Sequence, residues 1–129
     1  MRSQRGFTLM ELLVVLALVA ILAGLVAPIV SNSIVRAKES TLKENLFIFR
    51  KAIDDYYADT GSYPPHLKDL MDKHYLRNIP VDPITEKKDT WVEVPADTVK
   101  TDDNSDPGII DVHSGSDETA IDGQPYKEW

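Results

Sequence analysis

The chain has 129 residues and no cysteine, which at ~100–200 residues per domain makes a single domain or less and excludes a disulfide framework, a CxxC redox centre, a cysteine nucleophile and a thiolate zinc site. Its 14 Lys+Arg against 21 Asp+Glu leave a net charge of −7, which argues against nucleic acid as a main partner. The charge is uneven: residues 7–80 carry 8 acidic and 8 basic side chains, whereas residues 81–129 carry 13 acidic and 4 basic.

From Phe7 to Val30 the only polar side chains are Thr8 and Glu11, and Leu12–Val30 has none at all. Such a run is about long enough to cross a ~30 Å hydrocarbon core as a helix. Arg2 and Arg5 precede it. A secretory signal fits the arginines, but its apolar run is usually shorter, and cleavage after Ala27 would leave Pro28 first in the mature chain. A plain transmembrane anchor also fits, with the arginines held on the cytoplasmic side. Neither explains Glu11, because an ionised carboxylate at that depth costs roughly 2.5–3.5 kcal/mol.

The order Arg5-Gly6-Phe7-Thr8-Leu9-Met10-Glu11-Leu12-Leu13-Val14-Val15 resembles the class III signal of type IV pilin-like proteins. The resemblance implies that a membrane peptidase cuts after Gly6 and methylates the new N-terminal residue, Phe7. Small Gly6 lets a protease approach the backbone, and cutting leaves a cationic amine on Phe7. Glu11 is then a buried anion in need of a cation. In a fibre the Phe7 amine of a neighbouring subunit would supply it and set the register of the two chains. Thr8 is expected to cap the helix or bond a backbone carbonyl.

After Val30 the pattern becomes periodic. Val35, Leu42, Leu46, Phe49, Ile53 and Tyr56 lie on one face of a helix, with mixed charges between them, Glu39 and Lys43 forming an acid-before-base pair four apart. From Leu42 to Tyr56 the stripe is expected to carry the C-terminal domain, the other reading being a seam between subunits. A helix end is expected near Asp59-Thr60-Gly61, where glycine takes the left-handed position; 52 helical residues from Phe7 to Ala58 would span about 78 Å. Pro28 removes an amide hydrogen and clashes with the Gly24 carbonyl, and Gly24 is itself a poor helix former. Gly24 and Pro28 are therefore expected to mark a weak point. It would act as a modest kink near the membrane exit, and the pilin resemblance implies that it extends in a filament.

Beyond Gly61, Ser62-Tyr63-Pro64-Pro65 opens a short second helix with Leu67, Leu70, Met71 and Tyr75 on its buried side. Asn78–Pro83 is a turn-rich connector. Thr90–Val94 and Ile109–His113 read as strands, separated by a long acidic loop that includes Asp97, Asp102, Asp103 and Asp106. No internal repeat is visible. The expected fold class is α+β: a long N-terminal transmembrane and stem helix, with a small C-terminal antiparallel sheet of two to four strands packed on its C-terminal half, as in type IV pilin-like proteins. The expected divisions are 1–6 leader, 7–30 transmembrane and assembly helix, 31–60 amphipathic stem and 61–129 head.

Thr60-Gly61-Ser62-Tyr63-Pro64, the Tyr75–Pro83 segment, Asp111-Val112-His113-Ser114 and Trp129 resemble the major pseudopilins of type II secretion systems. The segment after Pro83 departs from that pattern, with Ile84-Thr85-Glu86 in place of the family's usual aromatic and glycine. The resemblance implies a calcium ion in the loop after the last strand, here residues 114–123, with Asp117 and Asp122 as ligands and Ser114 as a weaker one. Calcium wants six to eight oxygens, and a metal clip would help a thin head without disulfides. The other reading is an ordinary solvated acidic loop, shorter than in many members and without their glycine run.

His66, His74 and His113 make no metal spacing, and no phosphate loop, nucleophile elbow or His–carboxylate constellation is present. An enzyme is therefore not expected. The sequence reads as a subunit that polymerises into a pseudopilus helping to drive folded proteins across the outer membrane. The implied partners are copies of the chain itself, a prepilin peptidase and methylase, the membrane, an inner-membrane assembly platform and minor pseudopilins. Its expected place is the bacterial inner membrane, single-pass, N-terminus cytoplasmic and head periplasmic, and then a periplasmic filament. The alternatives are a surface type IV pilin for adhesion, motility or DNA uptake, and a monomeric membrane-anchored binding module.

Overall fold

The computed structural model describes residues 5–96 and 106–129. Its elements in chain order are α1 (Leu9–Thr60), α2 (Leu67–Asp72), β1 (Val92–Pro95), β2 (Ile109–His113) and a 3₁₀ turn at Tyr126–Glu128. Most of the expected acidic loop, residues 97–105, lies outside the described residues, as do Met1–Gln4 of the expected leader. The chain divides into two compact units, Met1–Val35 and Arg36–Trp129, and α1 contributes to both.

In the first unit α1 is a single helix, long and apolar enough to cross a membrane. Its apolar side chains have no protein cover: between Leu12 and Val30 the large ones are 48% to 66% exposed. The polar groups near its end close locally, the Ser31 and Ser33 hydroxyls donating to the Ala27 and Ile29 carbonyls at 3.1 and 2.9 Å. Pro28 lies inside the helix, which continues through it.

The second unit has the α+β architecture expected, with two strands in its sheet. The stripe on α1 forms the core floor, since Leu42, Leu46, Phe49, Ile53 and Tyr56 are all buried. One cluster joins Phe49, Ala52, Ile53 and Tyr56 to Leu67, Leu70 and Leu76 and to Ile109 and Val112 of β2. A second joins Leu42 and Leu46 to Ala120 and Tyr126. Trp91 packs against both; its ring meets Phe49 edge-on, 4.9 Å between centroids, and its indole N–H donates to the Pro80 carbonyl at 2.9 Å.

Helix α1 ends where glycine permits it. Gly61 has φ +73, and its N–H donates to the Tyr57 carbonyl at 2.8 Å. Helix α2 is shorter than the sequence suggests: it buries Leu67 and Leu70, while Met71 and Tyr75 are half-buried. The strands are antiparallel, Val92 opposite His113 and Glu93 opposite Val112, with a bulge between Val94 and Pro95. The Ile109–His113 bounds are those expected; β1 begins and ends a little later than predicted. Gly108 makes the entry to β2 possible. Its φ is +76, and a Cβ there would lie 2.8 Å from both the Cβ and the carbonyl oxygen of Tyr63, so only glycine fits.

Candidate functional site

The N-terminal site is built around the start of α1. Residues 5–8 form no regular structure, a Cβ at Gly6 would meet nothing within 4 Å, and Phe7 is 86% exposed. The Gly6–Phe7 bond is therefore open to a protease. Thr8 caps the helix: its hydroxyl oxygen accepts from the Glu11 N–H at 3.2 Å, and the Glu11 carboxylate accepts from the Thr8 N–H at 3.2 Å. This reciprocal cap satisfies two orphan donors of the first turn and places the anion at the positive end of the helix dipole. The Glu11 carboxylate thus faces the chain start that cutting after Gly6 would expose. Gly24 and Pro28 lie well inside α1 with open space around Gly24.

The C-terminal loop was the expected calcium site. Ser114 is buried; its hydroxyl donates to Asp82 Oδ2 at 2.5 Å and accepts from the Ser116 N–H at 3.2 Å. The Asp117 carboxylate is 96% exposed and lies 3.8 Å from the Lys127 amine. Asp122 Oδ1 accepts from the Gln124 N–H at 3.0 Å within its own turn. Among the described residues no group of three or more His, Asp or Glu side chains stands together as a metal site. The hydroxyl is spent on protein partners, one carboxylate sits beside a cation, and the other holds a turn. As they stand, these side chains do not fit a calcium site.

Other residues close the head, and sequence reading gave them no such role. Asp82 is fully buried; besides the Ser114 hydroxyl it accepts from the Ile84 N–H at 2.8 Å. Arg50 of α1 donates to Asp111 Oδ1 at 2.7 Å and to the Trp129 carbonyl at 2.8 Å. The expected Glu39–Lys43 pair gives way to other partners. Glu39 takes two donors from the C-terminal segment, and the Lys43 amine lies over the Trp129 ring, 4.7 Å from its centre. The signal that could have found Asp82 is its place in a Pro-Val-Asp-Pro turn, where aspartate bonds backbone amides just ahead of it.

The prokaryotic N-terminal methylation motif matches residues 1–27. The chain is similar to the type II secretion system core protein G of Klebsiella pneumoniae, 30% identical over 99 positions that cover 64% of this chain and 71% of the relative. It is likewise similar to the core protein G of Pseudomonas aeruginosa, 34% identical over 98 positions, 64% of this chain and 69% of that one. The Escherichia coli (strain K12) protein of the same description is 29% identical over 97 positions, covering 63% and 67%. No solved structure matches.

Proposed function

This chain belongs to the type II secretion system core protein G family, the major pseudopilins, and from that premise we propose how the subunit is processed and what it builds. The Gly6–Phe7 bond is cut by a prepilin peptidase, the new Phe7 amine is methylated, and the trimmed subunit stays in the bacterial inner membrane through residues 7–30. Residues 31–60 form the stem, and residues 61–129 form the head on the periplasmic side. Subunits then leave the membrane and pack by their stems into an open filament, which a head-to-tail contact that does not close generates. In it Glu11 trades its own Thr8 N–H for the Phe7 amine of a neighbour, and the Gly24–Pro28 stretch extends. The fibre helps to drive folded proteins across the outer membrane, with an inner-membrane assembly platform and minor pseudopilins as partners. The role is structural rather than catalytic.

One observation carries this reading: a Gly-Phe-Thr-x-x-Glu start opens a helix whose large apolar side chains between Leu12 and Val30 stay at least 48% exposed in the single chain. Lipid covers them before assembly and neighbouring stems afterwards. The intact mass of the native protein tests the processing: the expected result is loss of residues 1–6 and gain of one methyl group. An uncut chain would mean a monomeric anchor. Glu11→Leu is expected to abolish regular fibres while leaving membrane insertion intact; fibres at wild-type yield would overturn the pairing.

A further inference from the structure

The segment that follows β2 is tied to α1 at both its middle and its end. In the middle, Glu39 Oε1 accepts from the Ile121 N–H at 2.8 Å and from the Tyr126 hydroxyl at 3.0 Å, donors 82 and 87 residues further along the chain. Tyr126 is 2% exposed and packs with Leu42, Leu46 and Ala120. At the end, the Trp129 carbonyl accepts from Arg50 and lies 2.6 Å from His113 Nδ1. At its root, Ser114 is fixed to Asp82. Hydrogen bonds to an ionised carboxylate are about twice as strong as neutral ones, so Glu39 anchors the segment at the point where it turns back toward the stem.

We infer that Glu39 is the clasp that closes residues 114–129 onto the stem. A fixed carboxylate with two protein donors does there what a divalent cation would otherwise do, and the head closes without calcium. This inference is independent of fibre assembly, because every group in it belongs to one chain and one compact unit.

The test uses the full chain in detergent micelles, in EDTA and again in millimolar calcium chloride. Thermal unfolding is followed by circular dichroism and amide exchange is read at Ile121. For the wild type, the same midpoint and the same Ile121 protection are expected in both buffers. Glu39→Ala is expected to speed exchange at Ile121 roughly tenfold or more, the factor set by losing one charge-assisted hydrogen bond. Glu39→Gln keeps a neutral acceptor and falls between. If Glu39→Ala does not fold, the wild type in the two buffers and the glutamine variant still decide. A wild-type midpoint that rises in calcium together with slower Ile121 exchange would overturn the inference. So would an alanine or glutamine variant with wild-type protection at Ile121.

Discussion

Glu11 and Glu39 stand on the same helix and accept different kinds of donor. Glu11 accepts from the backbone of its own first turn, whereas Glu39 accepts from a backbone amide and a phenol more than 80 residues away. That phenol, Tyr126, has its pKa pushed up to about 12 from 10.0, first by burial and then by the Glu39 carboxylate beside it. The folded protein therefore holds the Tyr126 proton more tightly than the unfolded chain does. The resulting stability is fully present below pH 10 and is lost as pH rises from 10 toward 12. Tyr126→Phe is expected to lower stability at neutral pH by about 1 kcal/mol through the lost bond to Glu39. It should also flatten the alkaline fall in the unfolding midpoint above pH 10. Urea titrations across that range check both effects. His66 shifts in the same direction for another reason: the Glu93 carboxylate, 3.0 Å from its Nδ1, favours the imidazolium. Its contribution is present below pH 6.5 and fades as pH rises through the raised pKa.

Whole elements were legible where one periodicity governed them. The 3.6-residue spacing of Leu42, Leu46, Phe49, Ile53 and Tyr56 named a buried face, and all five are buried. Val35, written into the same stripe, is 37% exposed and belongs to the first unit. The β-branched run Ile109–His113 named β2, and Gly61 named the end of α1. Closure of the head was not legible, because it depends on polar groups far apart in sequence. Asp82 reads as a turn residue; its burial follows from Ser114, 32 residues later. Likewise, the family resemblance alone points to a metal loop at 114–123, while the partners of Asp117, Asp122 and Ser114 are a lysine, a turn amide and a distant aspartate. Asp82→Ala would leave the buried Ser114 hydroxyl and the Ile84 amide without an acceptor. The expected loss is about 3 kcal/mol of head stability, seen as a lower urea midpoint with an unchanged slope.

At the scale of the whole molecule, the two units ask for opposite surroundings. Every residue of both core clusters lies between Leu42 and Tyr126, and none comes from the first unit. A chain beginning at Arg36 is therefore expected to fold without detergent as a soluble monomer, with head exchange protection matching that of the intact protein. Ultracentrifugation and amide exchange check this, and an unfolded or aggregated product would show that the apolar helix contributes to the head.

The long span between Glu39 and its donors also orders events in time. The stripe on α1 leaves the ribosome early, but residues that cover its buried turns at Leu42 and Leu46, Ala120 and Tyr126, arrive more than 70 residues later. Until they do, Leu42 and Leu46 have only Ile84 and Trp91 of that cluster to pack against. A chain stopped before residue 120 lacks that cover, so closure of this part of the core waits on residues that follow β2.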